Sequence, residues 1–232
     1  LRFIVSLLAE GSGMDAIAPE PTIIDLPGTR RISGVILARD ILFDDFMDEY
    51  PNLHVEWVDG VVVEMPSITE RHDALVAFLR MWISALLERL GGGRVLGDPM
   101  IMKLESIRSS RAPDLQVLLP SSLHRLKNNL VIGPADLVIE VVSPGSRRVD
   151  SVDKFQEYEQ GGVPEFWLID YERRHPIFYR LNSSGLYEEA APDEQGLYHA
   201  AAVPGLRLPV DLLWREMLPG PVEIVRLTEQ LR

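Results

Sequence analysis

Two carboxylates and one lysine stand where a soluble chain seldom places charge without a use. Glu140 interrupts the apolar run LVIEVV, Asp114 follows Pro113 at the head of LQVLL, and Lys154 lies in a helical stretch after a Ser-Pro turn. Taking a lone carboxylate out of water costs several kcal/mol unless it is paired, protonated or metal-bound. Two carboxylates make a hard-oxygen site, and Mg2+ takes one or two of them with water and phosphate oxygens completing its shell. Such a cation lowers the pKa of bound water and offsets charge on a phosphoryl group, while a nearby lysine can orient or deprotonate the attacking water. Spacing alone makes this a weak signal, because Asp, Glu and Lys are common. Asp114 can equally cap the turn after Pro113, Glu140 can pair with Arg111 or Lys103 inside a sheet, and Lys154 can be solvated.

The elements around these residues are legible. ARDILFDDFMDEYP reads as a short amphipathic helix stopped by Pro51. HVEWVDGVVVEM reads as a β-hairpin around Asp59-Gly60, with Glu56 just before the turn. The spacing of Leu75, Leu79, Trp82, Leu86 and Leu90 predicts a helix over 67–90, with Ser67 and Glu70 as a capping box and Gly91 to Gly93 as its stop. His72 falls on the apolar face of that helix. Three strand-like segments follow, VLGDPMIMKLE, RAPDLQVLLP and DLVIEVVS. Alternation sets Asp114 and Gln116 on one face of the second, and Asp136, Val138, Glu140 and Val142 on one face of the third. If the two are neighbours, Asp114 and Glu140 converge. Asp150 to Asp153 reads as the start of a helix anchored by Phe155 and Tyr158 and closed by Gly161-Gly162. PEFWLID is the next strand, PIFYRLN and GLYEEA form a hairpin, and the end is turn-rich with a short amphipathic segment.

Composition narrows the classes. The 232 residues carry no cysteine, which excludes disulfides, thiolate zinc sites and Cys nucleophiles. No apolar run reaches transmembrane length, and the expected location is cytoplasmic. A net charge of −12 argues against a broad sequence-independent nucleic-acid binder. A local basic groove built from Arg108, Arg111, Arg125, Lys127, Arg147 and Arg148 stays open. Residues 1–35 are read as a flexible or artefactual lead with Met14 as a candidate start, 36–218 as one domain, and 219–232 as a C-terminal extension.

RAPDLQVLL, DLVIEVVSPGSRRVDSVDKFQEY and GGVPEFWLID together resemble the Uma-two family, to which a bacterial endonuclease activity is ascribed, within the PD-(D/E)XK restriction-endonuclease-like superfamily. VEWVDGVVVEMP, the His72 helix and VPGLRL extend the resemblance over roughly residues 40–214. It implies a mixed α/β fold with an αβββαβ core, added hairpins at both ends, and a Mg2+ site, with Mn2+ the alternative metal. Asp114 and Glu140 match the metal carboxylates. The superfamily's lysine position, two after Glu140, is Val142 here, and Lys154 matches the lysine this family carries on the next helix. Glu56 and His72 are further candidates, although a histidine on an apolar face is more often a hydrogen-bonded core residue. Arg147 and Arg148 are candidate phosphate contacts. The function implied is a metal-dependent DNA endonuclease acting as a homodimer. The alternatives are a degenerate relative serving as a nucleic-acid or protein binding module, and a hydrolase of small phosphate esters.

Overall fold

The structure, a computed structural model, describes residues 22–25, 31–50, 54–65, 68–142 and 147–231. Strands β1 (Thr22–Asp25) and β2 (Arg31–Ala38) pair antiparallel, and helix α1 (Phe43–Glu49) follows, burying Phe46. The expected stop at Pro51 lies outside the described residues. β3 (Val55–Val58) and β4 (Val61–Glu64) form the hairpin expected around Asp59-Gly60. Both turn residues have positive φ, 47° and 87°, as a type I′ turn requires.

Helix α2 (Glu70–Arg89) buries Leu75, Leu79, Trp82 and Leu86, as the periodicity demands. Its start differs from the expectation. Thr69 is the N-cap, accepting the backbone N–H of His72, and Ser67 lies outside the described residues. Leu90, expected on the buried stripe, is the exposed C-cap residue, because the helix ends there.

The next seven strands are β5 (Arg94–Leu96), β6 (Ile101–Leu104), β7 (Ser109–Arg111), β8 (Leu115–Leu118), β9 (Leu126–Lys127), β10 (Leu130–Ile132) and β11 (Leu137–Val141). VLGDPMIMKLE is therefore two strands, split at Gly97-Asp98-Pro99, and RAPDLQVLLP is split at Ala112-Pro113-Asp114. A proline cannot donate to a ladder, so each split falls where the chain leaves one sheet for another. Helix α3 (Arg147–Gln160) begins ahead of the expected Asp150, which sets Lys154 in mid-helix. β12 (Glu165–Asp170), β13 (His175–Leu181), β14 (Tyr187–Ala190), β15 (Leu197–His199), β16 (Arg207–Pro209) and α4 (Pro221–Gln230) complete the order.

The described residues form two large sheets and one small one. The first has the order β1-β2-β4-β3-β7-β6-β10-β9, the second β14-β13-β12-β11-β8-β5, and β15-β16 stand apart. Within the second, β11 runs antiparallel to β8 and parallel to β12. Thus α2, β5, β8, β11, α3 and β12 follow one another in the expected αβββαβ order, and the excursions between them build the first sheet. Leu115, Val117, Leu137, Ile139 and Val141 face α2, and Ile224 of α4 joins that layer. Leu118, Val138 and Val142 face the opposite way, toward Tyr158 of α3 and Met102 and Leu104 of the first sheet. β11 is buried on both faces, so it reads as an unbroken apolar run apart from Glu140. Among the described residues no helix is long and apolar enough to cross a membrane.

Candidate active site

Asp114 owes its place to the end of the β8–β11 ladder. Ile139 pairs with Leu115, and one more step of that register sets Asp114 beside Glu140. The ladder stops there because the Pro113 carbonyl instead accepts the N–H of Asp98 at 3.1 Å. The Asp114 side chain takes over, with Oδ2 accepting the Val141 N–H at 2.7 Å. His72, carried on the buried face of α2, sets Nε2 3.1 Å from the same oxygen. Both hydrogen bonds described for Asp114 therefore fall on Oδ2, and Oδ1 keeps its capacity for a ligand.

Glu140 points to the other face, toward α3. Lys154 and Tyr158 stand four residues apart, so both project from one side of the helix. Lys154 Nζ donates to Glu140 Oε2 at 3.0 Å and the Tyr158 hydroxyl to Oε1 at 2.6 Å. Glu140 and Lys154 are only 2% and 3% exposed. Burial, with the Glu140 charge beside it, pushes the Tyr158 hydroxyl well above its ordinary range, which keeps it a neutral donor.

A second buried cluster supports this one from the first sheet. Arg111 of β7 donates to Glu56 Oε2 at 2.6 Å, and through two nitrogens to Glu157 of α3 at 2.8 Å each. Ser109 adds a hydroxyl to Glu157 at 2.5 Å. Burial would raise Glu56, yet Lys154 and Arg111 hold it below the usual carboxylate range. Burial opposes Glu157 in the same way, and Arg111 and Ser109 again win. The guanidinium is correspondingly held well above its ordinary value against its own burial cost, chiefly by Glu157 and Glu56.

Asp114, Glu140 and Lys154 border a cleft of about 290 Å³, which His54, His72, Arg80 and Asp98 also line, among others. At its edge His54 pairs with Asp98 at 2.9 Å, and the Asp98 hydrogen bond holds the imidazole above its ordinary range. Gly97 makes the close approach possible. A Cβ there would meet the Asp114 carbonyl oxygen at 2.6 Å and Arg80 Nη2 at 2.1 Å.

The structure brings together Asp114, Glu140, Lys154 and His72, with Glu56 beneath Lys154. Side chains of Arg147 and Arg148 lie outside the described residues. The expected basic groove is a different matter. Arg111 is buried in the acid cluster, Arg108 pairs with Asp59, and Arg125 donates to the Pro134 carbonyl. These three and Lys127 are not in the cleft lining, whose cationic side is Arg80 and Lys154 with two histidines. Arg111 and Lys103 do not pair with Glu140; Lys103 pairs with Glu105. Sequence reasoning missed Glu157, His54, Asp98 and Arg80, and treated Tyr158 as packing alone. The four-residue spacing of Lys154 and Tyr158 was a signal for Tyr158.

A divalent cation suits the donor set. Among the described residues no group of three or more His, Asp or Glu is gathered to hold a metal. Two hard carboxylates at a solvent-reached cleft are what Mg2+ uses.

Residues 43–211 match the sequence pattern of the Uma2 family, described as "Putative restriction endonuclease". Among solved structures the chain is similar to one described as "a putative nuclease belonging to DUF820 from Anabaena variabilis ATCC 29413". The TM-score is 0.63 at 20% identity, over 75% of this chain and 97% of that one. At this identity the likeness speaks for the fold. No curated protein matches the chain.

Proposed function

Because the chain belongs to the Uma2 family, we propose that it is a Mg2+-dependent endonuclease that hydrolyses DNA phosphodiester bonds. The observation that carries this reading is the convergence of Asp114, Glu140 and Lys154 on one cleft from a strand head, a buried strand and a helix. Asp114 and Glu140 would hold the cation. Bound there, Mg2+ (or Mn2+) supplies a more acidic water and offsets charge gathering on the phosphoryl oxygens.

The chain's own residues do the rest. The Val141 N–H and His72 fix the Asp114 carboxylate, so its orientation needs no reorganisation when substrate arrives. Lys154 is a compact point charge at the cleft wall, suited to orient the attacking water and to stabilise the pentacovalent phosphate. Displacement is in line, with the 3′-oxygen leaving and a 5′-phosphate produced. Arg80 at the cleft lining adds positive charge for the flanking backbone. A duplex has two strands to cut, and a homodimer would present two such clefts.

One observation favours the degenerate binding module instead: both Glu140 oxygens are already taken by internal donors. The two readings separate by calorimetry. The nuclease reading expects Mg2+ or Mn2+ to bind the wild type, Asp114→Ala and Glu140→Ala each to abolish binding, and supercoiled plasmid to be nicked only by the wild type. No binding to the wild type, even with duplex DNA present, overturns it and leaves the binding module. Cleavage of small phosphate esters but not of DNA would assign the site to the phosphate-ester class.

A further inference from the structure

Glu140 has no oxygen to spare, yet the reading above asks it to hold a cation. Its Oε1 is bonded to Tyr158 and its Oε2 to Lys154. Across the Lys154 ammonium lies Glu56 of the first sheet, with Oε1 3.8 Å from Nζ. That oxygen is buried and has no hydrogen-bond partner among the described residues. The carboxylate is held by Arg111 through Oε2 at 2.6 Å. A fixed, buried, open acceptor therefore faces an ammonium that is bonded elsewhere.

The two donors on Glu140 differ in what they can do next. Tyr158 is a rigid ring packed edge-on against Phe166. Lys154 ends in an ammonium with three rotatable donors on a flexible four-carbon stem. Its arrival from α3 matters here. Position 142, two residues after Glu140, is a buried valine in the apolar layer, whereas a helix-borne lysine enters between the two sheets and reaches an acid from each.

We propose that Lys154 has two stations: it neutralises Glu140 while the Asp114–Glu140 pair lacks a divalent cation, and transfers to Glu56 Oε1 when the cation binds. The inference rests on the cation-dependent reading of the cleft. The transfer frees Glu140 Oε2 for coordination and moves a positive charge off the oxygen the cation needs. It keeps that charge in the site, paired with a second carboxylate and beside the reacting phosphate. Glu56 is a positioning residue, acting through Lys154.

The test reads Lys154 directly. Crystals of the wild-type protein are solved with and without Mn2+, and Mn2+ affinity is measured by calorimetry for wild type, Glu56→Gln and Asp114→Ala. In Glu56→Gln, Arg111 claims the amide oxygen and the NH2 group turns toward Lys154, so the second station is lost while size is kept. The expected result is Nζ bonded to Glu56 Oε1 in the Mn2+ crystal, and Mn2+ binding weakened about 10- to 100-fold by Glu56→Gln. Mn2+ bound by the wild type with Lys154 still on Glu140, or bound equally by Glu56→Gln, overturns the two-station lysine and leaves the nuclease reading standing. Failure of the wild type to bind Mn2+, with or without DNA, overturns both. The wild-type crystals decide even if Glu56→Gln does not fold.

Discussion

Tyr158 carries more than its ring. The hydroxyl gives Glu140 a strong donor, and the ring packs against Phe166. Tyr158→Phe keeps the packing and removes the donor, leaving a buried carboxylate short of one hydrogen bond. Bonds to charged groups contribute about 1.5–3 kcal/mol, so urea denaturation is expected to show a loss of that size. A loss below about 0.5 kcal/mol, the level of an ordinary surface change, would mean that Glu140 is sustained without the tyrosine hydroxyl. His72 and Asp114 form a second hydrogen-bonded pair in the same cleft, where the histidine holds one carboxylate oxygen.

Among the elements, the decisive features are the two crossings at Pro99 and Pro113. Each hands the chain from one large sheet to the other, and the cleft opens where they pass. Gly97 is packed against the second crossing, where backbone, not a flexible side chain, lies 2.6 Å from where a Cβ would stand. Arg80 can swing aside, whereas the Asp114 carbonyl has to move with its residue. Gly97→Ala is expected to cost about 1–3 kcal/mol of stability, as overpacking does. Displacement of Asp114 by even about 1 Å should lower plasmid cleavage about 100-fold. Gly185→Ala is the control: its φ is +76° but nothing lies near its Cβ. It should lose stability and keep cleavage. Equal activity in the two variants would show that the crossing does not set Asp114.

At the scale of the molecule, the two sheets are joined through charge as well as apolar contact. Arg111 of the first sheet binds Glu157 of α3, which packs on the second. This linkage makes stability depend on pH with a definite sign. Glu56 and Glu157 titrate below their ordinary value of 4.5 in the folded protein. Their stabilisation is fully present above about pH 4.5 and is lost as pH falls through the folded values. Unfolding free energy measured by urea between pH 7 and pH 3 should therefore decline on the acid side. Arg111→Met removes the counter-charge and should cost about 3–5 kcal/mol at pH 7. Burial then raises Glu157, so in this variant part of the loss is recovered as pH falls toward its raised pKa. An acid limb identical in wild type and Arg111→Met would remove the cluster as its cause.

Much of this was readable without coordinates. Asp59-Gly60 specifies a turn with two positive φ angles, the leucine spacing specifies the α2 face, and the alternation in LVIEVV puts Glu140 opposite Ile139 and Val141. These signals act over a few residues, where sterics and burial period decide. The family resemblance added the pairing of Asp114 with Glu140 and Lys154. Only the tertiary structure decided which charges meet across sheets. Whether Arg111 served Glu140 or Glu56 and Glu157 depended on which strands became neighbours, and so did the burial of Lys154 between two acids. The same holds for His72 reaching Asp114. A charge's partner is chosen by proximity in three dimensions and by the cost of leaving it buried alone, and neither quantity is a property of the local chain.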